Sequence, residues 1–300
     1  MLIYILVFIA GLLQSAMQSF NGILQGYVGL FGTSLVTHIV GALLLILYIL
    51  LFRRQKIKLW PMPWHLYSAG FFGLVLVACT SLCVAQIGPA LTTCLSICGQ
   101  LGLSILMDHF GWMGVKQIRF EPKRIPCLLV ILAGLLLVNF GDQSASAPER
   151  AGNGAALYIL LALLLGGINV YSKTVNFQAT KYLGTANGTL VNYVVASFLS
   201  AALLPCLEVE YANPAVFAAA PLWLYWGGVC GVAALVINVA SLKKINLFQS
   251  TTLLLIGQLA GSALLDAVLF DNMPGAKLLG VMVVGAGVVW DRKASLLLKT

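Results

Sequence analysis

Charge is what this sequence has least of. Only 9% of its 300 residues are Asp, Glu, Lys or Arg, and the acids number 9. A soluble domain carries about 25% charged residues because its surface must be hydrated, so an ordinary water-soluble enzyme is excluded. Proline is scarce at 10 residues, and glycine at 30 is far below the share of a collagen, which sets aside disordered and collagenous chains. There is no glycine-rich phosphate loop, so ATP-driven pumping by this chain alone has no support. A convergent set of zinc ligands is also lacking, because His38, His65 and His109 do not share a spacing with the cysteines. Asp108 and His109 are adjacent, yet no nucleophile can be assigned to them, and catalysis needs nucleophile, base and oxyanion donor together. Neither enzyme activity nor a cofactor is expected.

What is present is apolar surface, at 60% of the residues. Ten stretches are long enough, or nearly so, to cross about 30 Å of hydrocarbon as helix. In the first half they are Leu2–Leu24, Thr33–Phe52, Trp64–Ala85, Pro89–Met107 and Ile125–Phe140. In the second they are Ala155–Ala179, Asn187–Leu207, Trp223–Leu242, Gln249–Phe270 and Lys277–Trp290. They are Leu-rich and lack the alternation of a membrane barrel. The N-terminus shows no basic region and no small-residue cleavage site, so a removable signal peptide is not expected. The polar segment Gly141–Gly154 divides the chain nearly in half. The expected organisation is a first repeat over 1–142, a linker over 143–153 and a second repeat over 154–300.

The net charge of +8 does not indicate nucleic acid, because the cations sit in short gaps between apolar runs. Setting aside Lys173 inside the sixth stretch, 14 Lys and Arg fall on one side and 2, Arg150 and Lys277, on the other. That bias predicts both termini in the cytoplasm of a bacterial-type inner membrane. Cys79 and Cys83, and Cys94 and Cys98, are four residues apart. They read as small packing residues, and the seven cysteines imply no disulfide framework.

The two halves resemble each other. With a shift of 158, Pro63, Leu66, Tyr67, Gly70 and Gly73 fall on Pro221, Leu224, Tyr225, Gly228 and Gly231. The same shift takes Gly99, Gln100, Leu101, Ser104 and Asp108 to Gly257, Gln258, Leu259, Ser262 and Asp266. With a shift of 155, Gln14, Gln18, Asn21 and Gln25 fall on Asn169, Lys173, Asn176 and Thr180. Each of these last sets lies along one helical stripe. Five spans per half is an odd number, so the second half starts on the opposite side of the membrane. The expected fold is an all-α polytopic membrane protein of ten transmembrane helices, built as two inverted-topology five-helix repeats.

The stripe Gln14, Gln18, Asn21, the helix start from Pro63 to Gly73, and Gly99-Gln100, Ser104, Asp108 with His109-Phe110-Gly111 carry a resemblance over nearly the whole chain. It resembles the YdcZ-like family of the drug/metabolite transporter superfamily, relatives of the small multidrug resistance and EamA-type transporters. Family members are often single five-helix units that pair antiparallel, and this chain is similar to a fused version. The multidrug branch implies an essential Glu in its first helix. Here that helix has no acid, and Gln14 and Gln18 form its polar centre.

The resulting reading is a secondary transporter moving a small polar organic solute by alternating access. Its alternative is a non-transporting membrane scaffold, or a lipid-handling protein, that retains the transporter fold. At about 1.5 Å per residue, Gln14 lies about 18 Å along its helix and Gln100 about 16 Å along its own. With Asn169 and Gln258 they are expected at one depth near the midplane. Gln14, Gln18, Asn21, Gln100, Asn169, Asn176 and Gln258 are the candidate substrate-binding residues. Carboxamides both donate and accept, which suits a neutral or zwitterionic solute or a small cation rich in N–H groups. Membrane polar residues also serve helix packing, the simpler reading of any one of them. The expected partners are that solute and the bilayer, with a proton as one available coupling ion. Lys173 and Asp108 are expected in the cytoplasmic half as an ionic latch, with Gln18 beside Asp266 outside. The simpler alternative is that Lys173 snorkels and Asp108 meets solvent or a helix end.

Overall fold

A computed structural model describes residues 2–87, 89–115, 117–119, 122, 125–140, 155–270, 275, 279–280, 282–287 and 290. The linker from Gly141 to Gly154, the C-terminal cations, Lys277 and the side chain of Asp266 lie outside the described residues. In chain order the helices are α1 (Leu2–Leu47), α2 (Ser68–Ile87), α3 (Pro89–Phe110), α4 (Ile125–Phe140), α5 (Ala155–Leu207), the short α6 (Pro214–Ala219), α7 (Trp226–Ser241) and α8 (Leu247–Phe270). Further helical residues lie at 279–280, 282–287 and 290. No strand occurs among the described residues. The chain is an all-α membrane protein. Long apolar helices present Leu43, Leu51, Phe52, Leu157, Leu164 and Phe198 outward, as a lipid-facing surface would.

The first two spans, and the sixth and seventh, are expected from sequence as separate helices with short gaps. Here each pair is joined at a single residue. Gly29 (φ 71°, ψ −177°) breaks α1 into two arms, and Gly184 (φ 80°, ψ 165°) breaks α5. Both are glycine because a side chain at positive φ is strained, and residue 184 is residue 29 shifted by 155. The second arm of α1 begins with backbone N–H groups that have no partner within the helix. Glu208 accepts from Leu30 N at 2.9 Å and from Phe31 N at 2.8 Å, capping it. A Cβ at Gly29 would meet that same carboxylate at 2.6 Å.

The chain forms two compact units, each drawing on both halves of the sequence. The first comprises the described residues of Met1–Leu12, Cys79–Val170 and Ile245–Thr300; the second, Leu13–Ala78 and Tyr171–Lys244. In the first unit the start of α1 crosses α8 with glycine against glycine: a Cβ on Gly11 would lie 2.7 Å from the Cα of Gly257. The start of α5 crosses α3 in the same manner, a Cβ on Gly99 lying 3.2 Å from the Cα of Gly166. Residues 11 and 166 differ by 155 and residues 99 and 257 by 158, so the two crossings are equivalent under the sequence repeat. Around them pack Ile97, Leu101, Ile131, Phe248, Leu255 and Leu259.

In the second unit Gly70 of α2 abuts the Asn192 carbonyl and the Ala196 amide of α5. Gly228 of α7 abuts the Thr37 carbonyl and Val40 of α1, again the equivalent contact. The turns leading into α2 and α7 also match. Leu66 N and Leu224 N donate to Pro63 O and Pro221 O at 3.0 Å each. The Tyr67 and Tyr225 hydroxyls donate to Leu59 O and Phe217 O at 2.8 and 2.6 Å. The Gly22 and Gly26 pair, which has the spacing of a close helix contact, meets nothing within 4 Å of either Cβ position.

Candidate functional site

The first polar stripe runs along α1. Gln14 and Gln25 are partly buried and Gln18 is exposed. Asn21 is partly buried, and its Oδ1 accepts from the Thr37 hydroxyl at 3.0 Å, tying the two arms of α1 together. The equivalent stripe on α5 is closed over. Asn169 is partly buried, but Lys173 is 6%, Asn176 1% and Thr180 3% exposed. Neither the nitrogen nor the oxygen of the Asn176 carboxamide has a hydrogen-bond partner among the described residues. Its repeat mate Asn21 has one. Native structures rarely leave such a group unmatched, so an unpaired amide of this kind marks a position where an additional polar atom fits.

Gln100 is buried and Gln258 partly buried. Each follows the crossing glycine of its helix by one residue, so the packing that fixes the crossing also fixes the depth of the carboxamide. One turn on, the Ser104 and Ser262 hydroxyls donate to Leu101 O at 2.9 Å and Leu259 O at 3.0 Å. Gln100, Asn169 and Gln258 belong to the first unit, whereas Gln14, Gln18, Asn21, Lys173 and Asn176 belong to the second.

Asp108 is 3% exposed. Its two oxygens accept from Leu247 N at 3.1 Å and Phe248 N at 2.8 Å, at the start of α8. A carboxylate there satisfies two otherwise unbonded amides and meets the positive end of the helix dipole. The helix end anticipated as the alternative for Asp108 is therefore among its partners. Lys173 lies in the second unit and Asp108 in the first.

Sequence reasoning missed Glu208, the counterpart device in the second unit. The available signal was an acid at the end of an apolar run. It also passed over His38 on the second arm of α1, because the repeat pairs it with an unlike residue, Tyr193. The opening of the second arm of α5 carries further polar contacts: Asn187 Oδ1 accepts from Lys58 N at 3.1 Å, and Lys243 Nζ donates to Thr185 Oγ1 at 3.0 Å. Chemically, the stripes offer donors and acceptors in apolar helices.

The family described as "Putative inner membrane exporter, YdcZ" matches residues 2–137 and 157–290. No curated protein matches the chain. A solved structure named only "Crystal structure of protein" superposes with a TM-score of 0.74 over 99% of both chains at 19% sequence identity. At that identity the likeness speaks to the fold alone.

Proposed function

Since the chain belongs to the YdcZ family of inner-membrane exporters, we propose that it is a secondary transporter that carries a small polar organic solute by alternating access between inverted repeats. The observation that carries this reading is the unequal burial of equivalent stripes. Gln18 is exposed where Lys173 is 6% exposed, and Asn21 is partly open where Asn176 is 1% exposed. Two repeats of like sequence with unequally buried stripes fit what alternating access expects of any single state: one side open, the other shut. Exchange of the two conformations would open the Asn176 side and close the Asn21 side. The equivalent glycine crossings support the same reading, since each conformation needs the same pivots in both halves.

In this reading Gln14, Gln18, Asn21, Gln100, Asn169, Asn176 and Gln258 contact the solute, and both termini are cytoplasmic. Lys173 and Asp108 are the charged residues assigned to the inner side in this reading. Carboxamides favour a neutral or zwitterionic solute. A ligand that binds only the folded state raises its stability by mass action, by about 2.7 kcal/mol at a hundredfold excess over Kd. A thermal-shift screen of polar metabolites on the purified protein is therefore the direct test. A hit whose shift disappears in Gln14→Leu and Asn176→Leu supports the assignment. A hit retained by all the Leu variants removes the site, and a protein that binds no solute is a scaffold with a transporter's fold.

A further inference from the structure

His38, on the second arm of α1, is a partly buried titratable side chain that the transport reading leaves unused. Its Nδ1 lies 2.7 Å from the Ser34 carbonyl oxygen. A carbonyl can only accept, so Nδ1 carries the hydrogen and Nε2 presents a lone pair. The Ser34 hydroxyl, 3.2 Å from Nδ1, is also 2.8 Å from the hydroxyl of Ser200, which anchors the imidazole to α5.

Against the ring stands Tyr193, 4% exposed, with ring centroids 5.3 Å apart at 58°. Residue 193 is residue 38 shifted by 155. The polar tips are placed alike. His38 Nε2 is 4.0 Å from a Cβ position on Gly73, and the Tyr193 hydroxyl 3.5 Å from one on Gly231, the repeat mate of Gly73. Neither Nε2 nor the phenol oxygen has a hydrogen-bond partner among the described residues. Tyr193 is the titratable group that faces His38 from α5, while α2 presents Gly73. No Asp or Glu occurs in 13–47, 68–78, 171–207 or 226–241, and the only Lys or Arg residues there are Lys173 and Lys181.

We propose that His38 and Tyr193 form a proton-binding site in the second unit, with His38 Nε2 as the atom that takes the proton. The proton comes from water, an N–H bond forms at Nε2, and the imidazolium keeps its Nδ1–H on the Ser34 carbonyl. The tyrosine ring lies within the range at which an aromatic face attracts a cation. A carboxylate partner would hold the proton more firmly. A carbonyl and a ring hold it less firmly, which suits loading and unloading. As the coupling-ion site of a transporter this rests on the transport reading; as a proton site it does not.

The test is imidazole ¹⁵N NMR of the full-length protein in lipid nanodiscs. With His65 and His109 replaced by Gln, His38 gives the single remaining histidine signal. The expected result is an Nδ1–H tautomer at pH 8 that gains a proton at Nε2 by about pH 5. Replacing the ring in Tyr193→Leu should weaken proton binding about threefold, moving the step to lower pH. A His38 signal unchanged from pH 8 to pH 5 overturns the site, and a step unmoved by Tyr193→Leu overturns the part given to Tyr193. A titrating His38 in a protein that binds no solute leaves the proton site standing and removes the transport reading. A solute bound and moved while His38 stays neutral does the reverse.

Discussion

Asn176 and Asp108 are both buried polar residues, and opposite outcomes are expected on removing them. Asp108 is matched, since two helix-start amides donate to its carboxylate. Asp108→Asn keeps the shape but loses the charge, so about 1–3 kcal/mol of stability should go, read as a lower melting temperature in detergent. An unchanged melting temperature would remove the capping role. Asn176 is unmatched on both atoms among the described residues. An apolar residue of similar size no longer leaves a polar group dry, so Asn176→Leu should unfold no earlier than the natural protein. The same variant should lose the ligand-induced thermal shift. A large destabilisation by Asn176→Leu would show that the carboxamide has a structural partner. The sequence showed the repeated carboxamides because like residues recur at fixed shifts. It could not show which one the fold leaves unpaired, since that depends on which arm is closed over.

At the scale of the helix, the crossings decide what each element tolerates. Gly11, Gly99, Gly166 and Gly257 each meet backbone of another helix where a Cβ would stand. Alanine at any of them must push two helices apart, with an expected cost of about 1–3 kcal/mol and matched losses in melting temperature at equivalent positions. Alanine at Gly22 or Gly26 should be silent, since nothing lies within 4 Å. Equal damage at Gly22 and Gly99 would sink this ordering. By spacing alone Gly22 and Gly26 qualify for a close helix contact, because small residues four apart permit contact without supplying a neighbour. The breaks at Gly29 and Gly184 were equally hard to read. Apolar periodicity runs through a single-residue kink, and only the φ of the glycine and the distant Glu208 cap reveal it. Some span ends, by contrast, were legible, as the start of the fourth at Pro89 and the end of the fifth at Phe140.

For the whole molecule, the proposed orientation makes a direct prediction. The cation bias of 14 to 2 puts the polar segment near Ser146 outside and the loop holding Lys56 inside. A membrane-impermeant thiol reagent added to intact cells should label a cysteine introduced at Ser146 and miss one at Lys56. Labelling in the reverse pattern would invert the proposed membrane sidedness and overturn the assignment of Lys173 and Asp108 to the inner side. What the sequence could not supply at this scale is the partition into units. Similarity between halves suggests that each half packs on itself, whereas both units take segments from both halves. That arrangement has a consequence for synthesis. When the ribosome has finished the first half, the Gly257 that receives Gly11, the Gly166 that receives Gly99 and the Glu208 that caps Leu30 have not yet been made. The nascent first half must therefore wait in the bilayer with these contacts open, and the order of translation leaves the last helices to complete both units.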